Sequence, residues 1–308
     1  MPQLITTLGP KEANELGVIL PHEHIFTDLR TWDQPGYALA DPDQVVLQVS
    51  PEIKRARQAG ISALVEATPV GVGRRVDILK AVSDATNFPI VVPTGIYREP
   101  WVPAWVHEAS EDELFLWMVD ELDGEIENSG VQAGFIKLSA GDEGLSTCEA
   151  KILCAAARAA VTSEAAIGSH TVRGWVVREE LAILEECGFA PQRFIWIHAN
   201  LEPDFALHLE MAQRGAWIEY DGIGGKQEDA YFIQRIQDLL AAGLEHRLLL
   251  SQDRWAYNPA LPDGGPVQPF TYLTDVFIPK LRAAGLDAQT IHKLTVDNPF
   301  NAFARELL

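Results

Sequence analysis

The sequence predicts an α/β protein of the (β/α)8 TIM-barrel class, laid out as a single domain over residues 1–308. Three observations carry that expectation. Eight short apolar runs rich in β-branched residues recur along the chain, most of them hydrophobic without alternation, as suits strands buried on both faces of a parallel sheet. Stretches of helical pattern fill the intervals between them. A chain of 308 residues, 47% hydrophobic, also has room for a barrel of roughly 250 residues with insertions.

The strands are expected at VILPHEH (18–24), SALVEAT (62–68), PIVVPTGIY (89–97), AGFIKLSA (133–140), AAIGSHT (165–171), FIWIHAN (194–200), AWIEYDGI (216–223) and LLLSQDR (248–254). After the first strand, residues 41–60 open on Asp41-Pro42 and close on Gly60, with Pro51 expected to interrupt the helix. Ser110 with Glu113, and Ser146 with Glu149, have the spacing of a capping box at the start of the helices that follow. REELAILEECG (178–188) and EDAYFIQRIQDLLAAG (228–243) are amphipathic and end on glycine. A doubly wound open sheet is the competing layout, but no strand leads into GxGxxG or GxxxxGK[ST]. The glycine clusters GVGRR (71–75) and GIGGK (222–226) read as turns.

A formal net charge of -20 argues against nucleic acid as a partner, since phosphate neutralisation rests on Lys and Arg. It disfavours an anionic membrane surface for the same reason and leaves a small-molecule substrate open. MPQLITTLGP has no basic stretch leading into a long apolar one, and no uncharged run approaches the roughly 20 residues of a membrane span. Cys148, Cys154 and Cys187 are odd in number and form no CxxC motif, so free thiols in a reducing, cytoplasmic setting are expected.

Barrels of this class keep their active sites at the C-terminal ends of the strands. There the sequence sets His22 and His24 on the first strand, Lys137 on the fourth, His170 on the fifth, His198 on the sixth and Asp253 on the eighth. On a strand, His22 and His24 point the same way and Glu23 the other. Taken singly, each has an ordinary reading: a hydrogen-bonded structural histidine, a lysine paired with an acid, an aspartate in a turn. Those readings do not account for six such residues converging on one rim, and a metal site does. Imidazole and carboxylate suit a borderline divalent ion, Zn foremost, with Mn, Co or Fe as alternatives. A buried lysine is pushed toward its neutral amine, which can add carbon dioxide to give a bidentate carbamate able to bridge two ions.

This ordered set resembles the phosphotriesterase family of the amidohydrolase superfamily, and the resemblance runs over essentially the whole chain. It extends to TTLGP near the start, VEATPVGVGRRVDIL after the second strand, TGIY at the third, SQDRW at the eighth and TVDNPFNAF at the end. It implies a binuclear centre in which His22, His24 and Asp253 hold one ion and His170 and His198 the other. Carboxylated Lys137 and a hydroxide would bridge them, and the hydroxide would attack the substrate carbonyl while Asp253 moves the proton. Tyr97, a residue typical of the lactonase-like members at this position, would lie over the centre, which favours a lactone or related carboxylic ester with weak phosphotriester cleavage on the side. Its alternative reading is a packing residue of the rim.

The chain departs from the best-characterised lactonases at ANLEPD after His198 and at EYDGIGG in the seventh strand, so their substrate contacts are not carried over. Asp221 and Arg254 are further residues expected to line the site, and the Trp-, Pro- and Gly-containing segment 254–272 is expected to cover it. The competing functions are an amide or N-acyl hydrolase on the same centre, a metal-dependent nuclease, and a metal- or ligand-binding protein without turnover. The nuclease normally has a glutamate where Lys137 stands and would want a basic face. The family resemblance also suggests a homodimer, with YREPWVPAWV (97–106) as a contact between subunits or as a cap on the barrel.

Overall fold

The computed structural model describes residues 1–306. Its strands are β1 (Val18–Phe26), β2 (Ile61–Glu66), β3 (Ile90–Val91), β4 (Pro93–Thr94), β5 (Phe135–Ser139), β6 (Ile167–His170), β7 (Phe194–Ile197), β8 (Trp217–Tyr220), β9 (Leu248–Leu250) and β10 (Trp255–Tyr257). They pair in parallel, in the orders β10-β1-β2-β3 and β4-β5-β6-β7-β8-β9. β3 and β4 are two halves of one stave parted at Val92, whose carbonyl still accepts the Gly134 N–H at 2.8 Å. The last stave meets the first through a side chain: the His22 N–H donates to Ser251 Oγ at 3.0 Å, and the Asp253 N–H reaches the His22 carbonyl at 3.3 Å. The result is a (β/α)8 barrel in the predicted strand order. β10 is an addition inside the segment read as a loop, pairing Trp255 with His24.

Helices follow the staves: α1 (Pro42–Gln58), α2 (Val76–Thr86), α3 (Ala104–Glu108), α4 (Glu111–Asp123), α5 (Thr147–Ser163), α6 (Gly174–Glu186), α7 (Phe205–Arg214), α8 (Asp229–Ala241), α9 (Ile278–Ala283), α10 (Ala288–His292) and α11 (Asn298–Phe303). Both capping boxes form, at Ser110 on α4 and Ser146 on α5. Contrary to expectation, α1 runs straight through Pro51. Its buried face, Val45 and Val49 before the proline and Ile53 and Ala56 after it, is anchored on both sides, and that packing outweighs one lost hydrogen bond. No helix among the described residues is long and apolar enough to cross a membrane.

Two apolar clusters divide the interior. One lies between the strands and the helices; the other fills the lower barrel with Ile19, Val65, Val91, Phe135, Ile195, Ile197, Trp217 and Leu249, plugged by Phe300 and Phe303 of α11. Phe303 meets Phe135 edge to face at 5.0 Å. With this end packed dry, the polar residues are confined to the opposite, C-terminal rim.

Candidate metal centre

Three local devices turn the polar side chains into the rim. On β5, simple alternation suffices: Phe135 faces the barrel plug and Lys137, two residues on, faces the pocket above it. On β1 alternation alone would fail, because Ile19 faces inward and His22 has the opposite parity. A register shift between Leu20 and Glu23 reverses the faces, and His22 and His24 then point into the pocket. After β7 and β9 the chain leaves the strand altogether, with His198 at φ 66 and Asp253 at φ 52. Such left-handed conformations cost on the order of 1–3 kcal/mol in a residue with a Cβ, and both fall on residues aimed at the site.

The six residues of the expected metal set and Tyr97 line one cavity of about 450 Å³. His22 Nε2 and His24 Nε2 are 3.2 Å apart. Asp253 Oδ1 lies 3.4 Å from the first and 3.1 Å from the second. On the other side, His198 Nε2 is 2.8 Å from His170 Nδ1, and the Tyr97 hydroxyl is 3.2 Å from that same His170 nitrogen. His22, His198 and Asp253 form a group whose donor atoms fall within 4.8 Å of one another.

The far sides of three of the four rings are tied down. His22 Nδ1 meets Glu219 Oε1 at 2.8 Å, and His24 Nδ1 meets Thr68 Oγ1 at 2.7 Å with Glu66 Oε1 at 3.5 Å. His198 Nδ1 meets Asp221 Oδ1 at 2.8 Å. A ring that donates its Nδ1 proton to a carboxylate presents a lone pair at Nε2. His22 Nε2 and His24 Nε2, 3.2 Å apart, need a cation between them, the proton that His24 carries or a metal ion in its place. This donor set therefore fits divalent metal ions.

Charge distribution agrees with the fit. Burial holds the His22 imidazole down at about 4. At His24 burial acts the same way but is outweighed by Asp253 and Glu66, and the ring stands at about 9. Asp253 is itself held well below the usual carboxylate range, burial being overcome by its hydrogen bonds with both histidines. Burial brings the Lys137 ammonium down to about 8 against the pull of Glu219, Asp253 and Asp221. A lysine so poised is about one-tenth neutral at pH 7, several hundredfold more than an exposed lysine, and the neutral amine is the form carbamate formation requires.

Two expectations need correcting. Asp221 does not line the cavity; it is buried behind His198 and His22, accepting from the former and 3.6 Å from the latter. GIGGK is more than a turn, since Gly222, Gly225 and Lys226 line the cavity. Arg254 does line it, as do Trp255 and Gln268 from the segment expected to cover the site. Glu219, Glu66 and Thr68 went unnoticed in the sequence. The available signal was an ionisable residue inside an unbroken apolar run, in WIEYD and in LVEAT.

A barrel with histidines, a lysine and an aspartate gathered on its C-terminal rim has the layout of a barrel hydrolase. The model of the Phosphotriesterase family matches residues 2–303, and the chain belongs to that family. It is 27% identical over 325 residues to the phosphotriesterase homology protein of Mycobacterium tuberculosis, covering 99% of each chain. To the N-acetyltaurine hydrolase of Rattus norvegicus it is 24% identical over 335 residues, covering 96% of this chain and 95% of that one. Its fold superimposes on a mutant of a Deinococcus radiodurans PTE-like lactonase with a TM-score of 0.84 at 29% identity, covering 97% of this chain and 99% of that one. The chain is accordingly a hydrolase of this family.

Proposed function

We propose that the protein is a binuclear metal-dependent hydrolase that opens a lactone or a related carboxylic ester, with weak phosphotriester cleavage as a side activity. The observation that carries this reading is the convergence of His22 Nε2, His24 Nε2 and Asp253 Oδ1 within 3.1–3.4 Å, beside the His170–His198 pair and a buried lysine. Two divalent ions, Zn foremost, held by His22, His24, Asp253, His170, His198 and carboxylated Lys137, would supply hydroxide at neutral pH and polarise the carbonyl oxygen.

The remaining work falls to side chains. Asp253, whose carboxyl stays ionised, accepts the proton released during attack and passes it to the departing alkoxide. Tyr97, its hydroxyl beside His170, donates a hydrogen bond to the carbonyl oxygen as negative charge builds there. Glu219, Thr68 and Asp221 keep the rings from turning.

Cleavage of an N-acyl amide is the second reading, supported by the likeness to N-acetyltaurine hydrolase. It asks for better protonation of the leaving group by the same aspartate. A panel of lactones, aryl esters, N-acyl amides and phosphotriesters, run on wild type and Asp253→Asn, separates the readings. Lactones should give the highest kcat/KM, and the variant, loaded at saturating metal, should lose about 100-fold or more in turnover, as loss of a general base entails. A variant that keeps metal and matches wild type would refute the role of Asp253.

A further inference from the structure

The cavity wall inverts the charge balance of the chain. The sequence carries 44 acidic residues against 24 Lys and Arg, yet the wall holds one carboxylate, Asp253, and beyond the metal-binding set it presents two cations, Lys226 and Arg254. Neither cation belongs to the inferred metal-binding set, and a neutral lactone has no need of them.

Arg254 is fixed in place by its backbone. Its N–H donates to Glu23 Oε2 at 2.7 Å and its carbonyl accepts from the His24 N–H at 2.7 Å, so it is locked to the strand bearing both histidines. Its guanidinium crosses to the loop after β8, where Nη2 donates to the Gly224 carbonyl and, at 3.4 Å, to that of Ile223. These acceptors are neutral, so the charge is not cancelled by them. Nε is buried without a hydrogen-bond partner, so no carboxylate takes up the charge on that side either. The loop that Arg254 grips packs closely on Tyr272: Gly224 has φ 72, and a Cβ there would come within 2.4 Å of the Tyr272 ring. The same loop carries Lys226, exposed at the mouth.

From this we infer that the substrate is anionic, carrying a free carboxylate remote from the bond that is cleaved, and that Arg254 and Lys226 bind it. The inference rests on the hydrolase reading above and narrows its substrate class. A protein of net charge -20 repels small anions at long range, and a local pair of cations at the pocket mouth is what reverses that field for the correct ligand. The charge specifies: a neutral compound of the same shape leaves both cations unanswered.

The test uses a matched pair, a γ-butyrolactone with a carboxylate on the ring and the same lactone with a carboxamide, ring opening being followed by proton release at low ionic strength. The carboxylate should be preferred by about tenfold or more in kcat/KM, the worth of one charged hydrogen bond. In Arg254→Gln and in Lys226→Gln that ratio should collapse toward one, with the change in KM. Equal turnover of the two compounds, or a preference that survives both substitutions, overturns the inference while leaving a lactonase intact. If neither lactone is opened, the lactone reading fails, and calorimetry with cyclopentanecarboxylate and cyclopentanecarboxamide decides the subsite separately. Tighter carboxylate binding that weakens in Lys226→Gln upholds it, and equal binding refutes it. Lys226 is exposed, so this variant serves even if Arg254→Gln, which unties the loop, does not fold.

Discussion

Asp221 grips His198 at two points: Oδ2 accepts the backbone N–H and Oδ1 meets the ring Nδ1, both at 2.8 Å. One carboxylate thereby sets both the left-handed backbone of His198 and the direction of its imidazole. Replacement by asparagine leaves the shape but removes an acceptor. Asp221→Asn should bind metal about 10–100-fold more weakly than wild type, the usual cost of losing a carboxylate behind a histidine ligand. Competition against a metal buffer reads this, with far-UV circular dichroism unchanged. Metal affinity equal to wild type would show that the carboxylate orients nothing.

Gly95 supports the site from the backbone. It has φ 105, and a Cβ placed on it would lie 2.2 Å from the Lys137 carbonyl oxygen. Gly95→Ala must therefore strain its own backbone and push apart the two staves carrying Tyr97 and Lys137. A destabilisation of about 2 kcal/mol or more is expected, seen as a fall in Tm of roughly 3 °C or more. An unchanged Tm would mean that the staves can separate freely.

Glu180 of α6 is buried behind β6, where Thr171 Oγ1 donates to it at 2.8 Å and Ser169 Oγ at 2.5 Å. Burial raises its carboxyl from 4.5 to about 7. The native state thus holds this proton more tightly than the unfolded chain does. The associated stabilisation is complete below pH 4.5 and is lost as pH rises through 7, amounting to at most about 3 kcal/mol. Urea unfolding at intervals from pH 5 to 8 should show wild-type stability falling relative to Glu180→Gln. Parallel curves would contradict the shifted carboxyl.

The sequence made the strand order and the rim residues legible for one reason. An ionisable residue at the end of a strand buried on both faces is expensive, so six of them in register with the barrel could be read as one site. Lys137 is the clearest case, since alternation from Phe135 alone turns it inward. His22 was harder, because the register shift after Leu20 that turns it inward is marked only by Pro21, which cannot donate to the ladder. The left-handed backbone at His198 and Asp253 was invisible, as neither is glycine. Glu219 and Asp221 stood in plain view within WIEYD, yet only the folded barrel reveals which imidazoles they serve. Helix α1 misled in the opposite direction: Pro51 spoke for a break that the packing of Val49 and Ile53 overrides.

In the proposed binuclear centre, Lys137 holds two metal ions together. Elemental analysis of metal per chain, comparing wild type with Lys137→Ala after both have been supplied with metal and bicarbonate, tests it directly. The expected result is about two ions in wild type and fewer in the variant, with circular dichroism showing both folded. One ion or none in the wild type, or two retained by Lys137→Ala, would contradict the account.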